Sequence, residues 1–308
     1  AQQYMSENQT LDIIVRGEGE VTFHELLLSL LNNSIPLSEV KGICYRANGN
    51  VLTTKERSPL PDLEEIPSPY LTGILKPRDE VTYIETYRGC PYGCSFCYEG
   101  KNFKQLRFFT DERIRKEIEL ITNTQGIRSF HVVDSVFNLK KERLKSLAKI
   151  FSGANKNRVG IRTVEIMAEL INHEAVDLLK RANVLSVETG PQTVNEVTLQ
   201  KINRYFDRNK FQRGISLLLE GGIEVLVDLI IGLPGDNFFR FARSIKAMIH
   251  LKPTTIVFSI LHVLPGTELY VNGRRFGLQF DEKAPHLVVK NNTFPYEEID
   301  KAVICRLV

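Results

Sequence analysis

The sequence predicts an α/β protein: a partial (β/α)6 TIM-like barrel preceded by an N-terminal α/β remnant and a hairpin linker. Two patterns predict it. Apolar runs of strand length recur at 81–85, 129–133, 159–166, 184–187, 223–231 and 255–261, with helix-length segments at 111–121, 141–151, 173–181, 195–202, 210–219 and 238–249 between them. Strands alternating with helices form parallel sheets. Most of the runs are nearly continuously apolar, as strands covered by helices should be.

Taken in order, Leu11-Asp12-Ile13-Ile14-Val15 reads as a short strand, Gly17-Glu18-Gly19-Glu20 as a tight turn, and Thr22 to Leu31 as a helix with leucines at helical spacing. Gly17-x-Gly19 lacks the third glycine of a dinucleotide fingerprint, so a strand-to-helix turn is the better reading. Residues 42–46 and a second strand from Val51 flank Ala47-Asn48-Gly49-Asn50, and Asn-Gly between such runs signals a β-hairpin. Between Arg57 and Pro77, five prolines break any regular element and read as a surface linker. Beyond Pro265-Gly266 the rhythm stops, and 272–308 carries no pattern. The expected divisions are 1–34, 35–80, 81–266 and 267–308.

Composition narrows the function classes. The 308 residues are 43% hydrophobic and 25% charged, ordinary globular values. Forty Lys+Arg against 37 Asp+Glu leave +3, and no basic run is dense enough for a nucleic-acid footprint. No apolar stretch reaches the roughly eighteen residues of a spanning helix, so neither nucleic acid nor membrane is an expected partner. The chain opens Ala1-Gln2-Gln3 without a secretory signal and reads as a piece of a longer polypeptide. Five cysteines cannot frame a chain this size, which points to a reducing cytoplasm; Cys44 and Cys305 read as buried packing residues.

Cys90-x3-Cys94-x2-Cys97 is the informative cluster. It follows the first strand of the repeat, on a loop with Gly89, Pro91 and Gly93, and loops after the strands form the reactive face of a parallel barrel. Structural zinc takes four protein ligands, and no fourth Cys or nearby His is offered. Three thiolates suit a [4Fe–4S] cluster whose fourth iron stays open to another ligand. Zinc, or unrelated core cysteines, are the other readings.

Cys90-x3-Cys94-x-Phe96-Cys97 after strand one of such a repeat resembles the radical S-adenosylmethionine (SAM) superfamily. The resemblance implies that the open iron binds the amino and carboxylate groups of SAM. It also implies that an electron cleaves the sulfonium to give a 5′-deoxyadenosyl radical, which abstracts a substrate hydrogen. Phe96 matches the aromatic position near the adenine; core packing is compatible with that role.

Polar residues at the other strand ends extend the reading. Glu165 in Thr163-Val164-Glu165-Ile166 and Asp228 in Val225–Ile230 lie among apolar neighbours, where a carboxylate must be paired or aimed at a ligand. Gln192 follows the fourth strand, and Arg204 ends Lys201-Ile202-Asn203-Arg204. These four resemble the cofactor-holding set of the anaerobic coproporphyrinogen dehydrogenase branch and its cobalamin-dependent relatives. That resemblance assigns Glu165 and Asp228 to polar groups of the nucleoside or methionine, and Gln192 and Arg204 to the methionine carboxylate, which an Arg fork meets in two places. A salt bridge between Arg204 and one of the acids is the structural alternative. Glu188, near Gly190, and Asp134, ending strand two, are two more candidate cofactor contacts, or else caps of the following helices. Some relatives carry Arg two residues after the strand-three Glu; Met167 stands here. Of the histidines, His262, just after a strand, is the better reactive-face candidate.

The run Asp12 to Glu20, then a helix, hairpin, Pro-rich linker and Arg88-Gly89-Cys90-Pro91, resembles the junction in cobalamin-binding radical SAM enzymes. There the Arg-Gly-Glu-Gly-Glu turn closes a Rossmann-like cobalamin domain, which assigns 1–34 to the end of such a domain. The Asp-x-His-x-x-Gly cobalamin signature is absent, so the domain was cut away or lost. The expected function is radical SAM chemistry on a small-molecule or peptide substrate, leading to methyl transfer to an unactivated carbon. Its expected cofactors are a [4Fe–4S] cluster, SAM and cobalamin, with flavodoxin or ferredoxin as low-potential electron donor. The rivals are hydrogen abstraction without methylation, giving oxidation or rearrangement, and a non-catalytic metal-binding interaction module.

Overall fold

The structure, a computed structural model, describes residues 1–32, 34–99 and 104–305. Its contacts divide into two compact units, Ala1–Ile66 and Pro67–Val308.

In the first unit, α1 (Gln2–Glu7) precedes β1 (Ile13–Val15), α2 (Gly19–Asn32) and the hairpin of β2 (Ile43–Ala47) and β3 (Asn50–Thr53). The sheet order is β1-β2-β3, antiparallel throughout. Asn48 and Gly49 both have positive φ, 48° and 78°, as a two-residue turn matched to strand twist requires. Leu26 of α2 packs on Val40, Ile43 and Tyr45. The Pro-rich stretch is not wholly irregular: Leu63–Glu65 forms a 3-10 turn because the Asp62 carboxylate accepts from Glu64 N at 2.9 Å.

The second unit opens with β4 (Tyr83–Ile84), then β5 (Tyr87–Arg88) and β6 (Arg107–Phe108), which pair antiparallel across the cysteine loop and which the sequence pattern does not reveal. The alternation follows: α3 (Asp111–Asn123), β7 (Ser129–Val132), α4 (Lys141–Ala154), β8 (Gly160–Ile161), β9 (Val164–Glu165), α5 (His173–Arg181), β10 (Ser186–Gln192), α6 (Glu196–Lys201), α7 (Arg208–Glu220), β11 (Glu224–Ile231), α8 (Phe238–Leu251) and β12 (Thr255–Ile260). Side-chain caps set several helix starts. Thr110, Asn172, Asp207 and Asn237 each accept from a backbone N–H three residues on.

Sheets β4-β7-β8 and β9-β10-β11-β12 are parallel, and a parallel bridge from Ile161 to Val184 joins β8 to the entry of β10. The strands therefore follow one another in chain order. Right-handed crossovers between sequential parallel strands place every helix on the same side, the winding of a barrel sector. Accordingly α3 packs on α4, α4 on α5, α5 on α7 and α7 on α8.

Three strands depart clearly from the sequence pattern, the first being β4, which keeps only Tyr83–Ile84 of the run 81–85. The run 159–166 breaks at Arg162–Thr163, where the chain leaves β7 for β10; there Ser186 Oγ donates to Arg162 O, and the Thr163 and Ser186 hydroxyls lie 2.9 Å apart. β10 begins later than expected and runs to Gln192, with a register shift between Thr189 and Gln192 around Pro191, which cannot donate to a ladder. In β11, Val225, Val227, Leu229 and Ile231 are fully buried against the helices. Leu226, Asp228 and Ile230, facing the other way, are only half-buried. The inner wall is thus open enough to receive a ligand.

Past Gly266 the chain is ordered where its pattern is silent: α9 (Glu268–Asn272), β13 (Gln279–Phe280), β14 (Val288–Lys290) and α10 (Tyr296–Ile304). Asn291 Nδ2 donates to Gly232 O, and Gly235 N donates to Thr293 Oγ1, both at 2.9 Å. Gly232 has φ +91°, and a Cβ there would stand 2.5 Å from Val288. Cys44 is buried as expected, whereas Cys305 is partly exposed.

Candidate functional site

The cysteine loop leaves β5 through Gly89, whose φ of 105° favours a residue without Cβ. Its backbone is tied down on several sides. Ser135 Oγ donates to Gly89 O at 2.8 Å, Asn203 Nδ2 to Gly93 O at 2.8 Å, Ser95 N to Ile202 O at 2.9 Å and Leu269 N to Ser95 O at 3.0 Å. A turn from Cys94 O to Cys97 N, at 3.1 Å, brings the last two cysteines round.

Cys90, Cys94 and Cys97 line one cavity, and Phe96, Glu165, Glu188, Gln192, Arg204 and Asp228 line it with them. The elements explain the convergence. Glu165 lies opposite Glu188 in the β9–β10 register, and Asp228 lies on the inward side of β11. Gln192 adopts φ +67° at the β10 irregularity, and Arg204 follows α6.

Asp134 does not line this cavity. Its carboxylate is 2% exposed and accepts from Thr86 N at 2.7 Å, from the Thr86 hydroxyl, and from Tyr87 N at 3.4 Å. Those bonds tie the end of β7 to the β4–β5 connection, so the acid is spent on the scaffold rather than on a cofactor. Burial pushes it up to about 6, against the pull of the Thr86 bonds. His262 is also absent from the lining; its Nδ1 pairs with Pro285 O at 3.0 Å. Tyr92, Glu99, Ser135 and Met167 line the cavity without having been singled out as ligands. Tyr92 lies within the cysteine motif and Glu99 two residues beyond it, which was the available signal. Asn138 holds Met167 in place, donating through Nδ2 to its O and accepting from its N, both at 2.9 Å.

The electrostatics are strained toward protonated acids. Glu165 opens onto the cavity, and desolvation by its walls, with the Glu188 charge second, pushes its carboxyl up to about 7. Burial also holds Asp228 well above the carboxylate range, and the adjoining Glu188, which hydrogen-bonds it, adds to the rise. Two carboxyls in such contact favour holding one proton between them. Burial raises the Cys90 and Cys97 thiols too, with the nearby Cys94 adding in each case. Thiolates gathered here therefore call for a cationic partner.

Arg204 meets none of the acids in an ion pair among the described residues. Its Nη1 lies 3.6 Å from Cys94 Sγ and its Nη2 donates to Gly190 O at 2.5 Å. Its Nε, with Gln192 Oε1 and Ser95 Oγ, is buried with no protein partner. Buried polar atoms are rarely left so.

These features fit both groups the sequence implies. The three cysteines line the cavity; among the described residues no three His, Cys, Asp or Glu side chains gather around one ion position. Thiolates of a cubane each bind a different iron and stand farther apart than donors around a single ion. The unpaired Arg204 Nε is a donor for a carboxylate, and the unpaired Gln192 Oε1 an acceptor for an ammonium, the two groups of an amino acid.

Comparison with known proteins agrees. Residues 84–248, which include every cavity residue named above, match the Radical SAM superfamily. A 2-(S-pantetheinyl)-carbapenam-3-carboxylate methyltransferase of Streptantibioticus cattleyicolor is 33% identical over 268 residues, 80% of this chain and 38% of that protein. The cobalamin-dependent radical SAM methyltransferase TokK of Streptomyces tokunonensis is 26% identical over 262 residues, again 80% of this chain and 38% of its own length. The radical SAM methyltransferase TsrM of Kitasatospora setae, solved with tryptophan and a SAM analogue, superposes with a TM-score of 0.74 at 22% identity, over 93% of this chain and 59% of that one. At that identity the likeness speaks for the fold, an α/β partial barrel. The chain thus spans less than two thirds of the length of each of these proteins. A motif, a barrel sector and a matching stretch of more than half its length lead to one assignment: this chain belongs to the radical SAM superfamily.

Proposed function

We propose that this chain carries the catalytic domain of a radical SAM methyltransferase acting on an unactivated carbon of a small-molecule or peptide substrate. One observation carries the reading: three cysteines, the unpaired Gln192 Oε1 and the unpaired Arg204 Nε share a single cavity. Cys90, Cys94 and Cys97 would hold a [4Fe–4S] cluster with one iron open, next to SAM. When bound, the reduced cluster supplies the electron that cleaves SAM to methionine and a 5′-deoxyadenosyl radical.

The protein's own contribution is orientation. Phe96 offers a ring face to the adenine. Gln192 and Arg204 fix the amino-acid end, the Arg as a fork for the carboxylate. Glu165 and Asp228 take hydroxyl or ammonium donors, and their raised carboxyls gain from a cationic ligand, which a sulfonium is. Glu188 hydrogen-bonds Asp228 on the cavity wall. The inner wall around Asp228 excludes water once filled.

Cobalamin use is proposed for the whole protein, because the relative TokK is a cobalamin-dependent radical SAM methyltransferase. The Asp-x-His-x-x-Gly signature is missing from this chain, so no residue described above is assigned to that cofactor. A low-potential donor such as flavodoxin or ferredoxin would supply the electron.

Anaerobic reconstitution tests the reading. Iron and sulfide should approach one cubane per chain, and dithionite with SAM should yield 5′-deoxyadenosine. Label from a labelled methyl donor in the product supports methylation; dehydrogenated product without label supports the oxidative rival. An intact cluster with no SAM cleavage would leave only the interaction-module reading.

A further inference from the structure

The turn after α6 lies along the cysteine loop, residue against residue. Ile202 O accepts from Ser95 N, Asn203 Nδ2 donates to Gly93 O, and Arg204 Nη1 reaches Cys94 Sγ at 3.6 Å. Asn203 holds φ +50° to make this fit, and Gly93 permits it, since a Cβ there would stand 3.1 Å from Asn203 Nδ2. The sulfur contact is the one that is not merely scaffolding. A guanidinium carries its charge permanently, and here it is braced from behind by Nη2 on Gly190 O.

We propose that Arg204 sets the reduction potential of the cluster by donating a charged hydrogen bond to the Cys94 sulfur. This deepens the reading above and rests on it, because it needs a cluster on these cysteines. Reduction adds one negative charge to a cluster, and a cationic donor on a ligand sulfur stabilises the reduced form more than the oxidised one. Arg204 therefore makes the cluster easier to reduce before SAM arrives. Asn203, bonded to the Gly93 carbonyl and not to a sulfur, holds the loop and carries no charge toward it.

The test is a redox titration followed by electron paramagnetic resonance, without SAM, on anaerobically reconstituted wild type, Arg204→Gln, Arg204→Lys and Asn203→Ala, with iron and sulfide counted on each. At a fixed poise the reduced-to-oxidised ratio should fall at least tenfold in Arg204→Gln, a midpoint lower by 59 mV for one electron. Arg204→Lys should fall less, and Asn203→Ala should stay within tenfold of wild type. Equal midpoints in wild type and Arg204→Gln overturn the proposal, as does an equal drop in Asn203→Ala, which would make it a loop effect. If Arg204→Gln holds no cluster, the Arg204→Lys midpoint decides; if neither holds one while both unfold like wild type, the role is in assembly and the proposal falls. A wild type without iron and sulfide would instead sink the proposed function.

Discussion

Removing the Asn138 side chain should damage this protein more than its modest size suggests. Asn138 is 4% exposed, and its amide closes both hydrogen-bonding ends of the Met167 residue at 2.9 Å each. In Asn138→Ala the buried Met167 N–H loses its partner, while Met167 O keeps its bond from Leu170 N at 3.1 Å. One unsatisfied buried group costs about 1–3 kcal/mol, with the lower half expected where a water enters the vacated space. Set against the roughly 5–15 kcal/mol that holds a domain together, that is a large share. With a urea slope near 3 kcal/mol/M, the midpoint for the cofactor-free protein should drop by roughly 0.3–1 M, read by circular dichroism. Because Met167 and Glu165 share the cavity wall, SAM affinity should weaken as well. A midpoint that moves by less than about 0.2 M at unchanged slope would show that the bracket is not what holds the exit of β9.

Other outcomes follow from the same geometry. Cys94→Ala should lose most of the iron and sulfide and all 5′-deoxyadenosine formation, and retention of either contradicts the cluster assignment. Glu165 is pushed up to about 7 from 4.5, so both folded and unfolded chains hold its proton below pH 4.5 and only the folded one is penalised as pH rises toward 7. Thermal midpoints of cofactor-free Glu165→Gln and wild type should therefore diverge in favour of the variant between pH 4.5 and 7; parallel profiles would refute the burial argument. Gly190→Ala places a Cβ 2.0 Å from Gln192 Nε2 and 3.1 Å from Asp228 Cβ. It should fold, displace the Gln192 amide, and weaken SAM binding at least tenfold by equilibrium dialysis, with unaltered binding as the contrary result.

Much of the site was legible because its chemistry sits in local strings. Three cysteines in eight residues need no fold to be seen, and a Glu or Asp inside an apolar strand announces a special environment. Asp134 misled because a strand-end acid looks alike whether it faces a ligand or a neighbouring hydroxyl; only the approach of Thr86, 48 residues away in the chain, decides. The β5–β6 pair was unreadable for a similar reason, since strands two residues long have no period to detect. The segment past Gly266 resisted because its elements are short and are held by partners distant in the chain, through bonds such as Asn291 to Gly232 and buried side chains such as Phe294 and Ile299.

The alternation along β11 also sets how this gene tolerates length changes. Deleting a single codon between Glu224 and Val227 would turn every later side chain of that strand through half a rotation, sending Asp228 among the helices and Val227 or Leu229 into the ligand space. In a scanning library this strand should accept conservative replacements at its helix-facing positions yet reject every in-frame deletion, whichever residue is lost.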